Sequence, residues 1–272
     1  MEKSPRKIGL VGCGTIAKSL ALQLDQGAVP QARLIAMNSR DIAKVVNFSS
    51  TLQNPLKVLS LPDLVNEVDI VIEAATGEAV DEIATLTLTH GKDLMVLSCG
   101  ALLNRSDLLE LAVTNDCTIY VPSGAIAGLD GITSYASGKV DSITMVTRKP
   151  PDGLRNAPGT IKSGVDIDSI REPVMIYEGS VLEACKLFPS NVNVSAALSM
   201  AGVGALKTLI QIYVDPGIKQ NIHEIVALGE FGSLEIKIKN LPSESNPRTG
   251  KISAFSALAT LKKITSNIRI GT

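Results

Sequence analysis

Residues 7–24 constrain this chain more than any other stretch. They read Lys7-Ile8-Gly9-Leu10-Val11-Gly12-Cys13-Gly14-Thr15-Ile16-Ala17-Lys18-Ser19-Leu20-Ala21-Leu22-Gln23-Leu24. The apolar run Ile8 to Val11 has the length and composition of a buried strand. Gly12-x-Gly14-x-x-Ala17 follows at once, and a helical pattern begins inside it. A strand, a glycine turn and a helix in this order form the context of a dinucleotide fingerprint. Gly12 makes the tight turn, Gly14 lets the backbone approach a pyrophosphate, and Ala17 still permits close helix–strand packing. The helix N-terminus, opening at Thr15 and Ile16, offers N–H groups and partial positive charge to phosphates.

From Lys7 to about Tyr120, strands and helices alternate. Strands are expected at 32–37, 56–59, 68–74, 93–98 and 118–121. Helices are expected at 61–67, 78–89 and 104–115, the last capped by Asn104 or Ser106. Near-continuous apolar strands between amphipathic helices imply a parallel sheet covered on both faces. Ligands sit at the carboxyl ends of such strands. Those ends are built of small residues: Ala74-Ala75-Thr76-Gly77, Ser98-Cys99-Gly100-Ala101, and Pro122 to Asp130. Strand two ends differently. An acid about 20 residues past the glycines normally holds the ribose 2′-OH of NAD. Here Asn38-Ser39-Arg40 takes that place, and no acid occurs before Asp41. Asn38 and Arg40 suit a 2′-phosphate, which favours NADP or dual use; a solvated surface Arg40 is the plain alternative.

After residue 130 the pattern changes. An amphipathic strand at 142–147 ends in Arg148-Lys149-Pro150-Pro151. Residues 152–171 read as a long loop, a type that is often functional. Residues 174–177 read as extended, 180–187 and 191–202 as helices. Strands at 206–214, 222–228 and 233–239 suggest an antiparallel sheet with one face in water. Residues 241–250 read as a polar turn, and 252–264 as a closing amphipathic helix. The fold class is therefore α/β: a Rossmann-type doubly wound parallel sheet plus a second α+β domain with a mostly antiparallel sheet. Residues 1–122 form the dinucleotide-binding domain and 123–250 the substrate and dimerisation domain. The helix at 251–267 packs back on the first.

With 45% hydrophobic residues and a net charge of −1, the chain is globular, with nothing to attract nucleic acid or an anionic membrane. No apolar run reaches membrane-spanning length, and Met1 to Arg6 is polar, so cytoplasm is expected. Cys13, Cys99, Cys117 and Cys185 show no metal-ligand spacing, and no metal site is expected. Only two histidines occur. His90 closes a helix, where the dipole explains it. His223 opens a second-domain strand and is either a proton-transfer group or a packed strand-edge residue. Arg148 and Lys149 are either carboxylate holders or a solvated basic turn. Asn191 and Asn193 are either helix caps or amides that reach a ligand.

Several segments together resemble the L-aspartate dehydrogenase family. They are Gly9 to Ala17, Ile72 to Ala75, Ser98 to Leu102, Val121 to Asp130, Thr147 to Pro151, Phe188 to Val194, Asn221 to Ile225 and Asn246 to Gly250. The resemblance implies NAD- or NADP-dependent oxidative deamination of L-aspartate to iminoaspartate. That product yields oxaloacetate and ammonia or feeds pyridine nucleotide biosynthesis; the reverse is reductive amination. It implies a homodimer. It places the active-site histidine on His223, where a base would free the amine's lone pair. It places cofactor contacts on Ala125 and Asn193, and the chain departs from the family at Asn38-Ser39-Arg40, where an acid is commoner. The residues themselves add Gly12, Gly14, Thr15, Ile16, Asn38, Arg40 and Ala75 as cofactor contacts and Arg148, Lys149 and Asn193 as substrate contacts. Two other expectations compete: a dihydrodipicolinate-type or homoserine-type reductase, and a non-catalytic dinucleotide sensor.

Overall fold

The computed structural model describes residues 4–189, 192–243, 246–250 and 252–271. The chain separates into two compact units. One is Met1–Pro122 with Ala254–Ile270, the other Ser123–Ser253 with Gly271–Thr272.

The first unit is a six-stranded sheet. Its elements are β1 (Arg6–Val11), α1 (Thr15–Asp25), β2 (Ala32–Asn38), α2 (Ile42–Ser49), β3 (Lys57–Val58), α3 (Leu61–Glu67), β4 (Ile70–Glu73), α4 (Val80–Thr89), β5 (Asp93–Val96), α5 (Ser106–Thr114) and β6 (Ile119–Tyr120). The strand order is β3-β2-β1-β4-β5-β6, with every pair parallel. The order reverses between β1 and β4, which opens the crevice where such sheets bind ligands. All four residues of β4 are buried, as a strand covered on both faces requires. The last four residues of β1 are buried too.

Short polar signals fix the helices between them. Asp41 caps α2 by accepting from Lys44 N at 3.0 Å. Ser60 caps α3 by accepting from Asp63 N at 3.3 Å. Neither Asn104 nor Ser106 caps α5, whose N-cap position is Arg105 with no side-chain cap bond. Arg105 instead bridges Asp81 of α4 and Asp107. His90 ends α4, its Nδ1 donating to Leu86 O at 2.8 Å. The closing helix, Ile252–Thr265, contributes Ala257, Leu258 and Leu261 to the core around β1 and α1.

The second unit contains α6 (Leu129–Ala136), β7 (Val140–Lys149), α7 (Pro151–Leu154), α8 (Pro158–Ser163), β8 (Val174–Ser180), α9 (Val181–Leu187), α10 (Asn193–Ala201), β9 (Thr208–Val214), β10 (Asn221–Gly229), β11 (Gly232–Asn240) and a small hairpin, β12 (Pro242–Ser243) with β13 (Asn246–Gly250). The closing helix is α11. The larger sheet runs β11-β10-β7-β9-β8. It is antiparallel except for β7 and β9. That parallel pair is possible because a long helical connection separates the two strands. Amphipathic alternation reveals strands but not their direction.

Residues 152–171 are not a continuous loop. They carry α7, α8 and a 3₁₀ turn at Ile167–Ser169. Pro151 and Pro158 start the two helices with φ already set, and Leu154, Ala157, Ile167 and Ile170 are buried anchors. The polar stretch at 241–250 forms the hairpin rather than a simple turn. Asn191, a candidate cap, lies outside the described residues. Asn193 is the first residue of α10, with Val192 at the cap position. Two helices that no strong sequence pattern marked, α2 and α6, are only eight residues each.

Candidate functional site

In the first unit the carboxyl ends of β1, β2, β3 and β4 surround a cavity of about 770 Å³. Gly12, Gly14, Asn38, Arg40 and Ala75 all line it; Thr15 and Ile16 stand just outside the lining, in the first turn of α1. Gly12 has φ +118°, and a Cβ there would lie 2.3 Å from Ala74 O. Only glycine allows β1 and β4 to meet this closely. A Cβ on Gly14 would meet nothing within 4 Å. It would project into the space beside a helix N-terminus that has no capping side chain. A pyrophosphate fits such a cradle by chemistry and by room.

The adenosine end shows residues that the sequence alone did not single out. Asn38 Nδ2 donates to Leu59 O at 2.7 Å, so its amide ties β2 to the residue after β3. Asp41, three residues on, caps α2. Arg40 and Lys44 both line the cavity, and neither forms an ion pair among the described residues. Both cations are thus available to an anion, with Asp41 and Glu82 the acids of the same lining. Lys44 was missed because it comes from the first turn of α2, a helix the sequence did not mark; Ser60, the N-cap of α3, was missed because only the fold brings that helix start to the cavity.

Glu73 shapes the cavity floor from beneath. It is fully buried at the end of β4. Its carboxylate accepts from Ala75 N (2.8 Å), Leu97 N (3.2 Å), Ser98 N (2.9 Å) and Ser98 Oγ (3.0 Å). Burial pushes its pKa up, and these four donors pull part of that back. Glu73 thus holds the ends of β4 and β5, with Ala75 between them, in one arrangement.

In the second unit the chemistry lies on the buried face of the sheet. Side chains alternate along a strand. Thr147 and Lys149 of β7 and Asn221 and His223 of β10 are all buried, whereas Arg148 is half-buried. His223 pairs with Thr147 in register, and its Nδ1 lies 3.2 Å from Thr147 Oγ1. Desolvation, then the nearby charge of Lys149, pushes the His223 pKa down to about 3. The ring is neutral. Asn221 Oδ1 is a buried acceptor with no partner. Asn240, opposite Asn221 on β11, donates to Ala125 O.

The structure therefore separates two neighbours that the sequence put together. Lys149 shares the face of His223. Arg148 points to the other face and lies 4.5 Å over the Tyr213 ring, so it does not join that group. Strict alternation makes this unavoidable. Ala125 and Asn193 belong to the second unit. Gly124, just before Ala125, has φ +64°, and a Cβ there would sit 3.6 Å from Val194 of α10. The loop carrying Ala125 and the start of α10 are thus close. No group of three or more potential metal ligands occurs among the described residues, and no helix there is long and apolar enough to cross a membrane.

Comparisons with known proteins fit this division. Residues 12–122 match the homoserine dehydrogenase NAD-binding domain family, and residues 130–264 the aspartate dehydrogenase C-terminal family. An L-aspartate dehydrogenase of Methanocella arvoryzae is 44% identical over 270 residues, covering 98% of this chain and 99% of its own. One from Bordetella bronchiseptica is 39% identical over 265 residues, covering 97% of each. The crystal structure of aspartate dehydrogenase from Thermotoga maritima superposes with a TM-score of 0.73 at 26% identity, covering 98% of this chain and 99% of that one.

Proposed function

The chain belongs to the L-aspartate dehydrogenase family, and from that premise we propose how its own residues carry the reaction. It is an NAD(P)-dependent oxidoreductase acting on a CH–NH2 group. L-Aspartate is oxidised to iminoaspartate, which water converts to oxaloacetate and ammonia; the reverse aminates oxaloacetate. When bound, the cofactor supplies the hydride acceptor for deamination. Gly12 and Gly14 with the first turn of α1 hold its pyrophosphate, and Ala75 borders it. Ala125 and Asn193 are proposed as further contacts. Lys149 receives a substrate carboxylate, and His223 hydrogen-bonds the reacting nitrogen and oxygen as the amine, imine and keto states interchange. The observation that carries this reading is the buried corner where a lysine and a neutral histidine share one sheet face. Assay of oxaloacetate with ammonia and reduced cofactor tests it: ammonia-dependent turnover is expected. Cofactor oxidation without ammonia, or binding without turnover, would remove the amino-acid dehydrogenase reading.

The two cations without ion-pair partners, Arg40 and Lys44, favour acceptance of NADP(H). A charge-assisted hydrogen bond to the 2′-phosphate is worth about 1.5–3 kcal/mol, so Arg40→Ala should lower kcat/KM for NADPH by about 10- to 100-fold. The value for NADH should hardly move. Equal losses for both cofactors would rule out a 2′-phosphate contact.

The chain acts as a homodimer in this reading, through the open face of the second unit's sheet. Met175, Leu209, Val226 and Leu228 are exposed there, and Leu209 and Val226 flank Thr144 in register. Several large apolar side chains exposed on one sheet face suit an interface. Light scattering should give twice the chain mass for the wild type and the single-chain mass for Leu209→Asp/Val226→Asp. A monomeric wild type would refute the assignment. The four cysteines are free thiols, which suits a reducing compartment such as the cytoplasm.

A further inference from the structure

We infer that Thr147 is a positioning residue that fixes the tautomer of His223, holding the neutral ring with its proton on Nε2. The inference rests on the proposed role of His223 and adds which atom of the ring does the work.

The argument is one of hydrogen-bond accounting. Thr147 and His223 are both buried, at 2% exposure each. Among the described residues the Thr147 hydroxyl has one partner, His223 Nδ1. A hydroxyl both donates and accepts, whereas a neutral imidazole has one donor nitrogen and one acceptor nitrogen. If Nδ1 carried the ring proton, it would donate to Oγ1, and the hydroxyl proton would be left buried without an acceptor. Leaving a buried donor unmade costs the full desolvation of that group. If the hydroxyl donates to Nδ1 instead, both groups are satisfied and the ring proton resides on Nε2.

Nε2 is the ring nitrogen left for a substrate: Thr147 takes Nδ1, and Nε2 has no partner among the described residues. In this state His223 presents a donor and not a lone pair. Such a ring polarises a keto oxygen and stabilises the oxygen of the amino-alcohol that ammonia forms from it, with no net proton transfer to the ring. A neutral histidine acting as an electrophile has precedent.

The two histidines make the test direct. His90 Nδ1 faces Leu86 O at 2.8 Å, and a carbonyl only accepts, so His90 has the opposite tautomer. In a full-length protein labelled with ¹⁵N-histidine, long-range ¹H–¹⁵N spectra should show one ring of each kind. Thr147→Val should move or mix the His223 tautomer and lower kcat by about tenfold, the equivalent of about 1.4 kcal/mol, with the KM for cofactor unchanged. Thr147→Ser should restore both. A wild-type His223 protonated on Nδ1, or a tautomer and kcat unmoved in Thr147→Val, would overturn the inference. Because the tautomer is read without turnover, that failure is distinct from failure of the proposed role of His223 at the substrate, which would show as normal turnover in His223→Ala.

Discussion

Replacing His223 with alanine should lower turnover by about 10²–10³-fold, the usual loss when a donor aimed at a developing oxyanion is removed, and should leave cofactor affinity intact. The two effects separate because His223 lies in the second unit and the glycine cradle in the first. His223→Gln, which retains an N–H donor, should lose less than His223→Ala if the ring works as a neutral donor. The pH profile sharpens this. Burial and the charge of Lys149 hold the His223 pKa down to about 3. A lowered histidine pKa means that the ring protonates only in strong acid. Among the described residues Lys149 is the charged group that acts on the ring: β11 places Ile238 opposite it and carries Glu235, Lys237 and Lys239 at other positions, α7 carries an exposed Asp152, and α10 carries no titratable residue. α6 brings Asp130, which is exposed, and Tyr135. From about pH 5 to 8, where an ordinary histidine titrates, kcat should show no limb that disappears in His223→Gln. A limb near the usual histidine value that vanishes with the side chain would show that the ring charges during turnover. Wild-type rates in His223→Ala would take it out of the mechanism.

Gly12→Ala and Gly14→Ala should fail in opposite ways, although both remove a glycine from the one short turn between β1 and α1. At Gly12 the new methyl would lie 2.3 Å from Ala74 O and 2.6 Å from Ala74 C, at φ +118°. Both neighbours are backbone and cannot rotate aside. The β1 and β4 ends are also tied to each other and to β2, through Ala74 N to Val11 O and Gly12 N to Asn38 O, each 2.8 Å. Strained φ costs about 1–3 kcal/mol, and overpacking about 1–3 more. The sum is a large share of the roughly 5–15 kcal/mol that holds a protein folded. A fall on the order of 10 °C in Tm is expected. Gly14→Ala meets no atom within 4 Å and has φ −82°, so its Tm should stay near wild type. Its methyl occupies the cradle, and cofactor binding should be lost. Calorimetry with and without cofactor distinguishes the two. A Gly12→Ala protein that melts like wild type would mean that the β1–β4 contact yields more easily than its geometry implies.

What was legible in the sequence was whatever local period and local chemistry specify. Ile8 to Val11 followed by Gly12 and Gly14 announced the first strand, turn and helix, since few other arrangements use two glycines there. Residues 61–67 and 252–264 carried helical periods, and residues 233–239 alternated cleanly enough to be read as a strand. His90 was explained by its place at a helix end. Short elements were harder. α2 and α7 owe their existence to a cap or a leading proline plus one or two buried anchors, which is too little pattern to stand out among polar residues.

The sequence by itself determined that this chain builds a dinucleotide fold, where its glycine turn lies, and which residue types near its strand ends can do chemistry. These follow from covalent conformational limits and from hydrophobic periods that act over a few residues. Only the tertiary structure decided which of those residues meet. The register of β7 against β10 sets Thr147 on His223 and leaves Arg148 on the far face with Tyr213. The crossing of β2 and β3 spends Asn38 on Leu59, while the start of α2 uses Asp41 as its cap. The end of β4 buries Glu73 among donors from β5. Register and burial depend on how separate segments pack, and a side chain's charge state depends on that packing, so neither could be read one residue at a time.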